Sequence, residues 1–242
     1  MLERFVHGAR CFWRGLRLLN TPGLRGYAAL PIAINMAVFS GLVWFAAARF
    51  DAWVDVLMPR LPEWLTWLEG LLWLLFAGLA AVLVFFTFTA VANLIGGPFN
   101  GLLAERVERH LTGSAPTDGG VLATLRQAPV MLFDELRKLG YYARWALPLL
   151  VLSFIPLLNV FAPFLWALFG AWMLAVEYAD YPLGNRGLRG VQVRGVLRAH
   201  RSSALGFGAM TLAATFVPGL NLLVMPAAVA GATILAVERL RQ

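Results

Sequence analysis

The hydrophobic pattern of this chain changes character several times, and each change predicts an element. Over residues 3–19, Phe5, Ala9, Phe12, Leu16 and Leu19 recur at helical spacing, with Arg10, Arg14 and Arg17 on the opposite face. That spacing predicts an amphipathic helix, and arginine opposite aromatic and leucine side chains is the pattern of a helix lying in a membrane interface. Asn20-Thr-Pro-Gly23 ends it. Tyr27 to Ala48 is then apolar all round, with Asn35 its one strongly polar group and no charge before Arg49. Leu71 to Ile95 is similar, with Thr87, Thr89 and Asn93 confined to its last third. Each run exceeds the roughly twenty apolar residues that a helix needs to span a bilayer. The loop between them sets Asp51, Asp55, Glu63 and Glu69 against Arg49 and Arg60. Trp53, Trp64 and Trp67 surround it, as in an interfacial aromatic belt.

After Asn93 the pattern turns from apolar to charged. Gly96-Gly97 is expected to break the second spanning helix, and Pro98 suits the first position of another, running to about Leu111. Asn93, Asn100 and Glu105 either line a polar path or merely mark the exit from the membrane. Thr112-Gly-Ser-Ala-Pro-Thr-Asp-Gly-Gly120 is a set of turn formers, and a further helix beyond it carries Arg126, Arg137, Lys138 and Arg144.

The last hundred residues contain a repeat. Phe154-Ile-Pro-Leu-Leu-Asn159 matches Phe216-Val-Pro-Gly-Leu-Asn221, and Gly170-Ala-Trp-Met-Leu-Ala-Val-Glu177 matches Gly231-Ala-Thr-Ile-Leu-Ala-Val-Glu238. Each copy reads apolar arm, turn, apolar arm, glutamate. The first arms, Trp145–Ile155 and Ala204–Val217, reach about 17 and 21 Å at helical rise, short of the roughly 30 Å hydrocarbon core. The reading preferred here is two re-entrant hairpins that dip in and return; four tilted full spans are the competing map. A turn at membrane depth is tolerated only where protein or water surrounds it, so Asn159 and Asn221 are expected beside an internal polar site.

Composition agrees. Of 242 residues 60% are hydrophobic and 14% charged, against about 25% charged in a soluble domain, so this is an integral membrane protein. Arg49 and Arg60 lie in the 49–70 loop; the other eighteen of 20 Lys and Arg fall on the opposite side, which places both termini in the cytoplasm. The basic first seventeen residues lack the apolar core and cleavage site of a signal peptide and are expected to be retained. With one cysteine, Cys11, no intramolecular disulfide is possible. His7, His110 and His200 are isolated in sequence, so no metal site is expected. Nor is a cofactor, a nucleic-acid partner or a catalytic residue: there is no phosphate-binding loop, zinc-protease motif or nucleophile elbow. Thr21-Pro-Gly-Leu-Arg-Gly26 is the best ligand candidate. Gly23, Leu24 and Arg25 would offer free N–H groups at a helix start, where anions bind, and Arg25 adds a planar fork of donors. The same chemistry would anchor a lipid phosphate equally well.

Pro22-Gly-Leu-Arg25, Asn93 to Glu105, Leu111-Thr-Gly113, Ala171-Trp-Met-Leu174, Tyr178-x-Asp-Tyr-Pro182, Phe207-Gly208, Asn221-Leu-Leu-x-Met-Pro226 and Gly231-Ala-Thr233 together resemble the CysZ family of bacterial inner-membrane sulfate permeases. The resemblance covers nearly the whole chain. It implies sulfate uptake feeding cysteine biosynthesis, oligomers, and two spanning helices with two half-penetrating hairpins. It further implies that the Gly23-Leu24-Arg25 segment binds sulfate; many relatives carry a second arginine where this chain has Gly26, so the site is one charge poorer.

The expected architecture is therefore an all-α integral membrane protein in one domain over 1–242. It comprises an interfacial helix (1–20), spans at 27–48 and 71–95, cytoplasmic helices over 98–142, and hairpins at 145–180 and 204–238. A sulfate dianion needs a polar path of donors that does not hold it too tightly. Asn35, Asn93, Asn100, Asn159 and Asn221 are neutral donors for one, and Glu105 would repel the ion unless paired with Arg106 or Arg109. Two other classes remain: a membrane-shaping scaffold using its hairpins as wedges, and a membrane enzyme acting on lipid headgroups. The first does not require intramembrane asparagines, and the second lacks a nucleophile, base or metal set.

Overall fold

In the computed structural model, which describes residues 1–57, 67–114 and 128–240, every regular element is helical among the described residues. In chain order these are α1 (Leu2–Leu18), α2 (Arg25–Leu57), α3 (Glu69–Thr112), α4 (Ala128–Ser153), a single 3-10 turn (Asn159–Phe161), α5 (Ala162–Asn185), α6 (Val191–Ala199), α7 (Arg201–Thr215) and α8 (Asn221–Glu238). Among the described residues, three stretches are long and apolar enough to cross a membrane: Gly70–Phe88, Asn159–Asn185 and Asn221–Glu238. The chain forms two compact units, Met1–Ala28 with Pro98–Gln242, and Ala29–Gly97.

The Ala29–Gly97 unit is a helix pair with aromatic contacts along its seam, Phe39 on Phe88 and Phe50 on both Trp73 and Phe76. Its outward side chains, among them Trp44, Phe85 and Phe86, are large, apolar and exposed. A helix that is apolar on every face is satisfied only by lipid or protein all round, so this pair belongs in hydrocarbon.

One expected break is missing. Helical structure continues through Gly96, Gly97 and Pro98, and α3 covers 44 residues without a break. Two glycines cost a helix only about 1 kcal/mol each, less than leaving several backbone groups unpaired at a break. The change of character there survives as the boundary between the two units. Likewise α4 begins at Ala128, so the first arm of the first hairpin is not an eleven-residue helix but the end of a 26-residue one. Of the turn formers over 112–120, those from Ala115 onward lie outside the described residues, as do Trp64 and Arg126.

The larger unit is organised around α8. Residues 227–236 of α8 are almost completely buried and, Ile234 and Leu235 apart, small. α1 packs on α7 and α8. The amphipathic helix was expected to turn its apolar face to lipid; instead its buried stripe is Gly8, Cys11, Phe12 and Gly15, and Phe5 is left exposed. Glycine, which apolar periodicity does not count, explains the rotation. A Cβ on Gly8 would collide with the backbone oxygen of Ser203, and one on Gly15 with Ala227 and Gly231. Such contact distances let backbones pack against each other without a hydrophobic driving force from water. Gly206 and Gly208 play the same part against Phe5 and Ala171, which accounts for the Gly-Phe-Gly of α7.

The repeat is structural as well as sequential. In both copies the N–H of the closing asparagine donates across the turn, Asn159 to Ile155 O at 3.0 Å and Asn221 to Val217 O at 3.1 Å. Leu157 and Gly219 occupy equivalent positions and both have positive φ, 71° and 81°.

Candidate anion site and polar strap

Thr21 to Gly26 links α1 to α2. Leu24 is buried and its N–H donates to Thr21 O at 3.1 Å, so this group, expected to be free, is spent closing the turn. Among the described residues, the N–H groups of Gly23, Arg25 and Gly26 make no backbone hydrogen bond. Gly23 sits at φ 92°, a conformation that costs other residues about 1–2 kcal/mol, and it turns the chain into α2. The loop therefore ends in a helix N-terminus with three unpaired donors, where partial positive charge accumulates. Arg25 is exposed; its Nε donates to Asn20 O at 2.7 Å, which folds the guanidinium over the loop and leaves its Nη groups without a partner among the described residues. A side chain at Gly26 would meet open space. An open groove of about 270 Å³, lined in part by Arg14, Arg17 and Thr21, adjoins the loop.

The second candidate group lies on the far half of α3. Asn100 is buried and donates Nδ2 to the Tyr181 hydroxyl at 3.3 Å. Glu105, also buried, accepts from Arg109 at 2.8 Å, one turn on. That pairing neutralises the carboxylate that would otherwise repel an anion. Arg106 is exposed, with Cζ 5.4 Å from the ring centroid of Tyr27, two residues beyond Arg25. The face of that ring attracts the cation. Through it α3 meets the start of α2 within one compact unit, so the two candidate groups are neighbours.

Sequence spacing missed the residues that hold this arrangement. Asn185 Nδ2 donates to Gly101 O at 2.9 Å, and Arg186 donates to Glu108 Oε1 through Nε at 3.1 Å and Nη2 at 2.8 Å. Further along α5, Glu177 receives both Lys138 Nζ at 2.9 Å and the Tyr142 hydroxyl at 3.1 Å. The strap thus ties the charged half of α3 and the middle of α4 to α5. Nothing in local periodicity pairs positions 39 to 84 residues apart.

Other expected path residues are placed differently. Asn35 and Asn93 lie within α2 and α3, but their side chains are outside the described residues. Asn159 and Asn221 head the second arms of the hairpins, exposed on the chain's own surface, and no described interaction joins them to Asn100 or Glu105. His7, isolated in sequence, is within 4.8 Å of Cys11 and Glu238, ligand atom to ligand atom.

A lipid-facing helix pair, further apolar helices and a buried polar strap define the class: an all-helical membrane protein. The family model described as sulfate transporter CysZ/etoposide-induced protein 2.4 matches residues 11–226. A sulfate transporter CysZ of Pseudomonas fluorescens is 46% identical over 95% of this chain and 92% of its own length. That of Pseudomonas paraeruginosa is 47% identical over 95% and 94%, and that of Salmonella paratyphi A 42% over 96% and 92%. The chain belongs to the sulfate transporter CysZ/etoposide-induced protein 2.4 family.

Proposed function

We propose that this protein takes up sulfate across a bacterial inner membrane, supplying sulfur for cysteine biosynthesis, and that it has no enzymatic activity. The observation that carries the reading is the helix N-terminus at Gly23–Gly26, with three unpaired N–H groups and the Arg25 fork, in a chain whose relatives are named sulfate transporters. Sulfate docks there through Gly23, Arg25 and Gly26 N–H and the Arg25 Nη groups, with Leu24 buried beneath as the anchor of the loop. It then follows a path of weak donors on which Arg109 balances the charge of Glu105, Arg106 lies against Tyr27, and Asn35, Asn93 and Asn100 supply amides. Asn159 and Asn221 at the hairpin turns are the remaining donors.

The membrane arrangement proposed is two full spans, α2 and α3, and two re-entrant hairpins, α4–α5 and α7–α8. The 15 residues of α7 reach about 22 Å, short of the roughly 30 Å core thickness, which favours re-entry of the second hairpin. The distribution of basic residues supports cytoplasmic termini. Membrane lipids and further copies of the chain are the partners.

The test is labelled-sulfate flux into proteoliposomes with sulfate binding to purified protein measured alongside. Arg25→Ala should weaken binding about ten- to hundred-fold, the worth of a charge-assisted contact of roughly 1.5–3 kcal/mol. Backbone donors should leave a residue of binding, and Arg25→Lys should restore only part. Gly26→Arg should tighten it. Wild-type affinity in Arg25→Ala would remove the site, and absence of flux would remove the transport reading.

A further inference from the structure

His7, Cys11 and Glu238 are 227 or more positions apart at their extremes yet meet where α1 crosses the end of α8. His7 and Cys11 are one helical turn apart and so share a face of α1. The His7 Nε2 atom is buried and has no hydrogen-bond partner, although Glu238 Oε2 lies 3.1 Å away. Two atoms that each present a lone pair at that distance repel unless a cation, a proton or a metal ion, lies between them. Arg14 Nη1 contacts both carboxylate oxygens, at 2.8 and 3.0 Å, which fixes the position of Glu238 while each oxygen keeps a second lone pair. The Cys11 sulfur completes the group from the buried side.

We propose that His7, Cys11 and Glu238 form a divalent transition-metal site, best suited to zinc, that pins the first helix of the larger unit to its last. The donor set is one thiolate, one imidazole and one carboxylate, the mixture that zinc takes tetrahedrally with a fourth position for water. Zinc–ligand lengths of about 2.0–2.3 Å place donors about 3.3–3.7 Å apart. The three atoms already lie within 4.8 Å of one another, so side-chain rotation closes the remainder. Burial first, and then the Glu238 charge, push the Cys11 thiol up to about 12, with Arg14 and Arg239 pulling the other way. Without metal it is therefore a thiol. On binding, a metal–sulfur bond forms and the thiol proton leaves to solvent. His7 and Glu238 are a quarter and a third exposed, which gives the ion its way in. The site is independent of the sulfate reading, since it shares no residue with the Gly23–Gly26 loop.

The experiment uses cobalt(II) and then zinc(II) on the full chain, purified metal-free in detergent. Because the chain has one cysteine, any thiolate-to-cobalt charge-transfer absorption must arise at Cys11. Wild type should show that band, saturating at one cobalt per chain, and zinc should bleach it. Cys11→Ala should abolish it, while His7→Ala and Glu238→Gln should each weaken cobalt binding at least tenfold. Zinc should also raise the melting temperature of wild type by several degrees and leave that of Cys11→Ala unmoved. If Cys11→Ala does not fold, His7→Asn carries the same melting comparison. No charge-transfer band in wild type, with histidine protonation alone bridging His7 and Glu238, would overturn the proposal. So would equal zinc affinity in wild type and Cys11→Ala, or in wild type and His7→Asn.

Discussion

The hairpin of α4 and α5 and that of α7 and α8 share one turn, one closing asparagine and one terminal glutamate, yet they occupy different surroundings. About 72% of α8 is enclosed by its own unit, whereas α5 is 28% enclosed and keeps Phe164 and Leu168 exposed along its first half. Side-chain size decides between them. Where α8 has Ala227, Ala228, Ala230 and Gly231, α5 has Trp166 and Phe169 among its larger residues. Only the former lets α1 approach to backbone contact. The glutamates diverge accordingly: Glu177 holds the buried Lys138, while Glu238 holds Arg14 and faces His7. A repeat thus sets the backbone path, and the size of a few side chains sets which copy becomes interior.

That comparison is broken most directly at its matched glycines. Gly231→Ala would put a Cβ 2.8 Å from Cys11 O and 3.0 Å from Phe12 Cα, neither of which can step aside. It should cost about 3 kcal/mol, the upper end for overpacking, and lower the melting temperature or abolish monodisperse protein. Gly170→Ala, at the equivalent position, meets the two methyls of Leu212 at 3.5 and 3.7 Å, ordinary van der Waals contact, and should be nearly silent. Equal effects would mean that the two copies are packed alike.

The glutamates give a smaller difference. Glu177→Gln removes one of two carboxylates from Lys138, which keeps Asp180 at 3.2 Å, and should cost about 1.5–3 kcal/mol as a charged hydrogen bond in a largely buried setting. Glu238→Gln in metal-free protein should cost under about 1 kcal/mol, because its pair with Arg14 is about half exposed. Denaturant titration of the two variants in one detergent checks the order; a larger loss for Glu238→Gln would reverse it.

The smallest effect is expected at the turns. Leu157 holds φ 71° where its counterpart is glycine. Left-handed backbone costs a leucine about 1–2 kcal/mol, part of which glycine returns as chain entropy. Leu157→Gly should stabilise by about 0.5–1 kcal/mol, and Gly219→Leu should destabilise by a similar amount. Thermal unfolding of the pair measures both, and the same sign for the two would show that the turns are not equivalent.

Much of this was legible in the order of residues. The all-helical apolar character, a basic amphipathic start, the repeat and the turn at Gly23-Leu24-Arg25 all rest on interactions within a turn or two of each residue, or on the solvent each stretch requires. Glu105 with Arg109 is such a case, one helical turn apart. What tertiary structure alone decided is everything that depends on a partner far away in sequence. The amphipathic face of α1 was misjudged because its seam is made of glycines, whose value appears only against Ser203 and Ala227. The break at Gly96-Gly97 did not occur because local propensity, about 1 kcal/mol per glycine, is weaker than the cost of leaving several backbone groups unpaired at a break. Glu108 found Arg186, Lys138 found Glu177, and His7 and Cys11 found Glu238 only through packing. Periodicity reports which side of a helix is buried, and small side chains set how close the neighbour comes. Which neighbour it is belongs to the folded chain.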